Sequence, residues 1–440
     1  MLSRRLFLER AGLVAGLGFL NRSLFAGNVT PLPSAAGTPA PADAPTASPA
    51  LLDHARKLLQ DAPLIDTHND LPSMLIEAGA DMTKFDLTKV QPTLCADVPR
   101  LREGRVGAQY WSVYVESALQ KDHRALHESL REFDVTLRMI RSQPDFEQAR
   151  TADDIERIHQ AGRIACLIGV EGGHMIENSL AALRIFYELG ARYMTLTHWD
   201  NIDWADSATD RPEHHGLTEF GKQVVREMNR VGMFADLSHV SAETMRDALS
   251  VSRAPVIFSH SSAFAINPHV RNVPDDVLRQ LTTNGGVCHV NFIKEFISPK
   301  NVAWQDQKAA ALRELHTHAD TDQAIEKGMQ EWEKKSPFPR PTIADVANHI
   351  DHIREVAGID HIGIGADFYE ASGNSMAEGL ENVTRYPYLF AELLSRKYSD
   401  EDVMKIAGRN HLRAMRQMER VATELQKTEA PLLGEGVQKH

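Results

Sequence analysis

The sequence predicts an α/β fold, a TIM-type (β/α)8 barrel, and three observations lead to that prediction. From about Leu64 onward, short runs rich in β-branched residues alternate with longer stretches of helical pattern, an order typical of parallel strands joined by crossover helices. There are eight such runs, the number that closes this type of barrel. The chain has 440 residues, of which 42% are hydrophobic and 25% charged, and these ordinary values exclude a disordered or collagen-like chain.

The strand candidates follow one another along the chain with helical patterns between them. They are Leu64–His68, Ala108–Val115, Ile164–Val170, Tyr193–His198, Met233–His239, Pro255–His260, Gly286–Phe292 and His361–Phe368. Helices are predicted over Ser179–Leu189 and Leu217–Val231, and another opens at Pro274 with acidic residues in its first turn. A helix over Ile343–Ala357 is predicted because Thr342 can cap its start and Gly358 can end it.

The first fifty residues are not expected to belong to the fold. A basic start containing Arg4 and Arg5 precedes the apolar run Ala11–Leu20, which is too short to span a membrane. The order Ser3-Arg4-Arg5-x-Phe7-Leu8 resembles a twin-arginine signal, so residues 1–26 predict export, in folded form, to the bacterial periplasm. We expect a Pro/Ala-rich linker over 27–50, a single (β/α)8 domain over 51–425, a polar tail over 426–440 and no stable membrane anchor.

Charge and cysteine content exclude two further classes of protein. Lys and Arg total 48 against 60 Asp and Glu, a formal net charge of −12, whereas a nucleic-acid-binding protein would favour a basic face. Three cysteines cannot form a disulfide framework. The 20 histidines are unusual, and composition alone does not say whether they are surface residues or metal ligands.

The position of the ionisable residues is more informative than their number. Polar groups stand at or just after the ends of six of the eight predicted strands, where buried strands rarely carry them unless something satisfies them. They are His68 with Asp70, Glu171, His198, His239, His260 and Asp367. Because active sites lie at the carboxyl ends of barrel strands, these side chains are expected to converge on one rim.

Five of these residues together indicate a metal site. A single buried histidine is more often a hydrogen-bonded core residue, but the shared strand-end position favours ligands here. Three imidazoles and two carboxylates suit Zn²⁺, and this number suits two ions that share a carboxylate. Two such ions can hold a bridging hydroxide and polarise a carbonyl. The residues are His68, Asp70, Glu171, His239 and His260.

The motifs around these residues resemble those of the membrane dipeptidases, a metallopeptidase family related to the amidohydrolases. The resemblance runs from about Leu64 to Arg413 and rests on several motifs in matching order. They are Ile65-Asp66-Thr67-His68-Asn69-Asp70, Val170-Glu171-Gly172-Gly173, Leu196-Thr197-His198, Asp236-Leu237-Ser238-His239, Ser259-His260-Ser261-Ser262-Ala263, Arg271-Asn272-Val273-Pro274-Asp275-Asp276 and Gly363-Ile364-Gly365-Ala366-Asp367-Phe368.

The resemblance implies a barrel of the metal-dependent hydrolase type and a role for each residue. His68 and Asp70 would bind one zinc ion and His239 and His260 a second, with Glu171 bridging the two ions of each subunit. His198 would stabilise the oxyanion, Arg271 would bind the substrate's C-terminal carboxylate, and Asp367 would transfer the proton. The implied activity is hydrolysis of short peptides, dipeptides above all, including those with a C-terminal D-residue. The family also implies a homodimer.

The sequence departs from the family at two places and keeps other functions open. Asp367-Phe368-Tyr369-Glu370 replaces Asp-Phe-Asp-Gly, and Gly408-Arg409-Asn410 replaces Gly-Gly-Asn. An altered rim would permit an alternative, a tailoring hydrolase acting on a modified amide, a lactone or a secondary-metabolite precursor. A non-catalytic binding protein is disfavoured because the ligand set is intact. The charged segment 304–335 is expected to form surface helix, with a lid over the barrel mouth as the alternative reading.

Overall fold

The computed structural model describes residues 48–318 and 321–434. These residues form two compact units, one made of 48–302 and 339–434 and the other of Ala303–Phe338. The predicted export signal, most of the predicted linker and the last six residues lie outside the described residues, so the domain limits stay a prediction.

The larger unit contains a closed ring of eight parallel strands, which confirms the predicted barrel. The ring order is β1-β2-β4-β5-β6-β7-β8-β9, and it closes where Asp66 of β1 pairs with Ile364 of β9. The strands are β1 Leu64–Asn69, β2 Val106–Val113, β4 Ile164–Glu171, β5 Ala191–Thr195, β6 Phe234–Asp236, β7 Ile257–Phe258, β8 Val287–Val290 and β9 Ile362–Ile364.

A ninth strand, β3 (Phe146–Gln148), was not predicted. It pairs with the first residues of β4 on the side that β5 occupies from Ile168 onward. Three residues are too few to show the alternation by which a strand is recognised, so the sequence gives no signal for it.

Helices surround the strands, and many follow their sequence signals. They are α1 Pro49–Asp61, α2 Leu71–Glu77, α3 Val98–Glu103, α4 Ala125–Ser142, α5 Ala152–Gln160, α6 Leu180–Leu189, α7 Glu219–Val231, α8 Ala242–Val251, α9 Asp275–Asn284, α10 Lys294–Ile297, α11 Asn301–His318, α12 Asp322–Lys335, α13 Ile343–Ala357, α14 Tyr386–Ser395, α15 Asp400–Met404 and α16 Asn410–Thr428. A π-helical turn, Lys405–Arg409, joins α15 to α16.

Capping residues set the helix boundaries. Helix α13 has the predicted bounds, because Thr342 and Asp345 form a reciprocal capping box at its start. Ser179 and Thr218 lie outside their helices and accept a backbone N–H from Ala182 and Gly221. The helices predicted from Ser179 and Leu217 therefore begin one and two residues later, at Leu180 and Glu219.

The chain leaves the sheet earlier than predicted at the rim of the barrel. Strands β5, β6, β7 and β9 end at Thr195, Asp236, Phe258 and Ile364, so the predicted strand ends at His198, His239, His260 and Phe368 are wrong. His239 and Asp367 have left-handed φ angles of 68° and 67°, which a β-strand does not accommodate. His198, His239, His260 and Asp367 consequently lie on loops that follow the strands, whereas His68 and Glu171 lie within β1 and β4.

The smaller unit consists of most of α11 together with α12. The Trp304 ring packs against Trp332 and Phe338, with centroids 5.6 and 5.1 Å away, and its indole N–H donates to Ser336 O at 2.9 Å. None of the described side chains between residues 302 and 338 is buried, which agrees with the predicted surface helix. Across the described part of the chain, no helix combines the length and apolar character needed to cross a membrane.

Candidate active site

The predicted site residues converge at the carboxyl ends of the barrel strands. His68, Asp70, Glu171, His198, His239 and His260 are all buried, and the Asp367 side chain is 14% exposed. Among the described residues, three overlapping groups could each hold a metal ion, and the ligand atoms of each group lie within 4.8 Å of one another. These groups are His68 with Glu171 and His260, Glu171 with His198 and His239, and His68 with Asp70 and Asp367.

Glu171 lies at the centre of the site. Its Oε1 atom is 3.3–3.6 Å from the Nε2 atoms of His68, His198, His239 and His260. Its other oxygen, Oε2, accepts a hydrogen bond from Ser112 Oγ at 3.1 Å. The carboxylate is thus held from one side and presents one oxygen to four imidazoles, one from strand β1 and three from the loops after β5, β6 and β7.

The backbone after Glu171 turns through two glycines. Gly172 has a φ of 132°, and a Cβ atom at Gly173 would overlap Leu196 O. Only glycine combines this conformation with so close an approach, so the Glu171-Gly172-Gly173 motif lets the chain turn while Glu171 still faces the site.

His68 is surrounded by carboxylates. Its Nε2 atom lies 3.5 Å from Glu171, 3.7 Å from Asp70 and 3.8 Å from Asp367. Burial opposes a charge on the ring, but Glu171, Asp70 and Asp367 outweigh burial and raise the pKa of His68 to about 10. This position therefore attracts positive charge strongly.

His239 and His260 form the opposite half of the site. Their Nε2 atoms face each other at 2.9 Å. Burial, the Arg271 guanidinium and the neighbouring imidazoles hold both pKa values well below the usual histidine range. Neutral imidazoles with lone pairs directed at one point are what a metal ion requires.

The His198 ring packs against the rings of His239 and Tyr114. Its ring centroid lies 4.3 Å from that of His239 and 4.4 Å from that of Tyr114. Its Nε2 atom points to Glu171 Oε1 at 3.4 Å. The packing on two sides fixes the ring and directs one nitrogen into the site.

Arg271 is completely buried beside the metal-binding groups. Nη1 is 3.5 Å from Ser261 Oγ, and Nη2 is 3.4 Å from His260 O. Its Nε atom has no hydrogen-bond partner among the described residues. Burial lowers the pKa of Arg271 to about 10, so the guanidinium is still charged at neutral pH. A buried cation with so few short hydrogen bonds has donors to spare for an anionic ligand.

Asp66 was quoted in a motif but received no role from the sequence. Its Oδ1 atom accepts N–H groups from Ala366 at 2.9 Å and His68 at 3.3 Å, and the Tyr386 hydroxyl donates to Oδ2 at 2.5 Å. This carboxylate therefore ties the loop that carries Asp367 to the strand that carries His68. Three more residues also contact the site and were given no role from the sequence: Tyr193, Ser259 and Asp236.

The spacing of the ligand atoms fits metal binding. The carboxylate oxygens and imidazole nitrogens around Glu171 and His68 are 3.3–3.8 Å apart, which is longer than most hydrogen bonds. Two ligands held tetrahedrally at 2.0–2.2 Å from one ion lie about 3.4 Å apart. Nitrogen and oxygen donors of this kind suit a divalent transition metal.

Two other histidines close to the motifs, His174 and His289, have core roles. His174 Nε2 and His289 Nδ1 bond to the carbonyl oxygens of Val115 and Phe258, each at 2.9 Å. Burial lowers both pKa values to about 4. Neither histidine belongs to a metal-binding group within the described ranges.

Comparison with known proteins agrees with this geometry. A model of the family described as membrane dipeptidase (peptidase family M19) matches residues 52–429. The chain is 40% identical to Dipeptidase tcpJ of Claviceps purpurea over 385 residues, 84% of this chain and 80% of that protein. It is 38% identical to Dipeptidase 3 of Rattus norvegicus over 382 residues, 85% of this chain and 68% of that protein.

Solved structures share the fold. The probable dipeptidase PvdM from Pseudomonas aeruginosa superimposes with a TM-score of 0.75 at 22% identity, covering 85% of this chain and 100% of that one. A metallopeptidase from Rhodobacter sphaeroides, liganded with a phosphinate mimic of L-Ala-D-Ala, has a TM-score of 0.66 at 23% identity, covering 81% and 99%. With the family match spanning most of the chain, the protein belongs to the membrane dipeptidase family, peptidase family M19, and is a metallopeptidase.

Proposed function

We propose that this protein is a binuclear zinc dipeptidase that hydrolyses the peptide bond of short peptides, including dipeptides with a C-terminal D-residue. The observation that carries the proposal is the position of Glu171, whose Oε1 atom lies 3.3–3.6 Å from four imidazole nitrogens. A carboxylate between two groups of ligands is the arrangement that two ions sharing one ligand require.

In this proposal the ligands would divide between two positions. His68 and Asp70 would hold one zinc ion, His239 and His260 would hold the other, and Glu171 would bridge them. Bound at these positions, zinc ions lower the pKa of a coordinated water and polarise the scissile carbonyl. The three cysteines are buried and are absent from every metal-binding group in the described part of the chain, so nitrogen and oxygen ligands would carry the binding.

Arg271 would select the substrate. Its planar guanidinium can form two parallel hydrogen bonds with the C-terminal carboxylate of a peptide. Because Arg271 contacts Ser261 Oγ and the carbonyl of the ligand His260, a carboxylate bound to it lies close to the metal positions. Because the carboxylate would be held close to the metal positions, the site favours a substrate in which the scissile bond is next to the C-terminal residue.

His198 and Asp367 would assist the reaction. His198 donates a hydrogen bond from Nε2 to the carbonyl oxygen as negative charge develops on it. Asp367 accepts a proton from the attacking water and returns it to the leaving amine. Asp367 is 14% exposed and lies 3.8 Å from His68 Nε2, so it borders both the ligands and the entrance for substrate.

A hydrolysis panel tests the proposal. Purified, zinc-loaded protein is assayed on L,L- and L,D-dipeptides, with metal content measured in the same sample and Asp367→Asn as the inactive control. We expect about two zinc ions per chain, hydrolysis of several dipeptides, and loss of activity on chelation that zinc restores. Full activity in a verified metal-free sample would rule out the metal mechanism. The L,D-dipeptides are included because the Rhodobacter sphaeroides structure holds a mimic of L-Ala-D-Ala.

A second candidate function is a tailoring hydrolase that acts on a modified amide, a lactone or a secondary-metabolite precursor at the same metal site. The loop after Asp367 supports keeping it in view. Glu370 accepts hydrogen bonds from Ser375 N at 2.7 Å and Ser372 Oγ at 2.8 Å, and so shapes a loop where the family's glycine would leave the chain free. A tailoring enzyme would bind zinc but hydrolyse few or none of the dipeptides.

A further inference from the structure

Hydroxyl groups lie behind two of the proposed metal ligands. The Tyr193 hydroxyl is 2.8 Å from Nδ1 of His68, and Ser259 Oγ is 2.8 Å from Nδ1 of His260. These two histidines belong to the two different metal positions of the proposed function. In each ring, the nitrogen that faces away from Glu171 therefore has a hydroxyl partner.

The Ser259 hydroxyl is held by a buried carboxylate, that of Asp236. Ser259 Oγ donates to Asp236 Oδ2 at 2.5 Å. Asp236 also accepts N–H groups from Ser259 at 2.8 Å and Ser238 at 3.1 Å, and the Thr195 hydroxyl at 2.5 Å. This carboxylate is fully buried at the end of β6.

Counting protons fixes the direction of the bonds around Ser259. The two backbone N–H groups can only donate, and Asp236 accepts them. The single proton of Ser259 goes to Asp236 Oδ2, so its oxygen accepts from His260 Nδ1.

This network leaves one tautomer for the His260 ring: the proton is on Nδ1, and the Nε2 lone pair faces Glu171 and the other ligands. We propose that Asp236, Ser259 and Tyr193 are positioning residues: Ser259, held by Asp236, sets the metal-binding tautomer of His260 in one metal position, and the Tyr193 hydroxyl holds Nδ1 of His68 in the other. This inference rests on the proposed function, because it takes His68 and His260 as ligands.

A glycine on the neighbouring strand leaves space for the Tyr193 ring. A Cβ atom at Gly169, on the neighbouring strand β4, would overlap the Tyr193 ring. Glycine at that position is therefore required for the tyrosine to stand beneath His68. The close contact between Gly169 and the Tyr193 ring is separate from the hydrogen bonds, and it also holds the Tyr193 hydroxyl in place.

Metal affinity is the test, because partners of metal-ligating histidines typically contribute about 10- to 100-fold to it. Zinc binding to Tyr193→Phe, Ser259→Ala and the unaltered protein is measured by competition with a chelator. Tyr193→Phe and Ser259→Ala should each weaken one ion about 10- to 100-fold and leave the other unchanged. The matched control is Tyr110→Phe, because Tyr110 stacks on Tyr193 at 5.4 Å but donates towards His411 instead of a ligand.

Two further readouts separate positioning from a merely structural effect. Cobalt is substituted for zinc, and the visible spectrum of Tyr193→Phe should change where that of Tyr110→Phe does not. Ser259→Thr, which keeps the hydroxyl, should recover the affinity that Ser259→Ala loses, while the melting temperatures of the metal-free variants stay close to that of the parent.

The outcomes are distinguishable. If the unaltered protein binds two ions and Tyr193→Phe binds both with parental affinity and spectrum, the network is refuted and the dipeptidase proposal stands. If the unaltered protein binds no pair of ions, both proposals fail. Equal losses in Tyr193→Phe and Tyr110→Phe would show a general effect on the barrel core and would also overturn the inference.

Discussion

Replacing Arg271 by lysine should remove most of the recognition of a free C-terminal carboxylate. The guanidinium is fully buried, and its two hydrogen bonds within the protein are long, at 3.4 and 3.5 Å. Two charge-assisted bonds to a substrate carboxylate are worth about 1.5–3 kcal/mol each. A lysine ammonium can replace one of them but cannot reproduce the planar pair.

The expected loss follows from that difference. Losing one of the two bonds costs about 1.5–3 kcal/mol, a rise in KM of about 13- to 160-fold for a free dipeptide. A dipeptide with an amidated C-terminus offers no carboxylate, so its KM should change little. Initial rates of amine release on the two substrates give both values in one experiment.

A matched control separates recognition from folding. Arg413 is also partly buried and donates to two backbone carbonyls, Gly285 O at 2.9 Å and Asp360 O at 2.8 Å. These carbonyls precede β8 and β9, at the end of the barrel away from the site, so Arg413→Lys should leave both KM values unchanged. An Arg271→Lys enzyme that is folded and shows equal effects on free and amidated dipeptides would refute carboxylate binding by Arg271.

Three other predictions concern proton transfer, pH and export. Asp367→Asn should lower kcat about 10²- to 10⁴-fold while the metal content stays the same; loss of metal would instead make Asp367 a ligand. Neutral His349 can accept Ala263 N–H at Nδ1 and donate to Ile297 O, both at 3.0 Å, and burial lowers its pKa to about 4. Since the unfolded chain binds the extra proton first, the free energy of unfolding should fall as pH decreases from about 6.5 to about 4, by about 3 kcal/mol at most. Urea unfolding at pH 7 and pH 4.5 should show a smaller fall for His349→Gln; an unchanged pH dependence would contradict this assignment. Finally, replacing both Arg4 and Arg5 by lysine should abolish export of a reporter fused to residues 1–50, and normal export would remove the support for a twin-arginine signal.

The sequence predicted the barrel and the convergence of the site, because both depend on patterns that are local. Runs of β-branched residues mark the strands, and a cap such as Thr342 marks where α13 begins. His68, Glu171 and Asp367 could be placed at one rim because parallel strands all end on the same side of a closed ring.

The remaining features depend on contacts between distant parts of the chain. Tyr193 lies inside a strand and reads as a core tyrosine, and only the fold brings it within 2.8 Å of His68, 125 residues away. Asp236 lies in the middle of a predicted strand, and its role becomes visible only when Ser259 and Thr195 are seen to donate to it. The early strand ends were missed because the residue with left-handed backbone angles is His239. Glycine or asparagine is the usual sequence signal for such a turn, and neither is present there.

The pairing that closes the barrel has a consequence for biosynthesis. Asp66 accepts the N–H of Ala366 across 300 residues of sequence, so β1 has no partner on one edge until β9 has been synthesised. At 5–20 residues per second the ribosome needs about 15–60 s to make that stretch. During this time an unpaired strand edge is open to wrong partners. His68 and Asp367 meet only when the ring is complete, so metal should bind late in folding, after the barrel has closed. A leader that exports folded cargo would therefore carry a protein that is already able to bind metal.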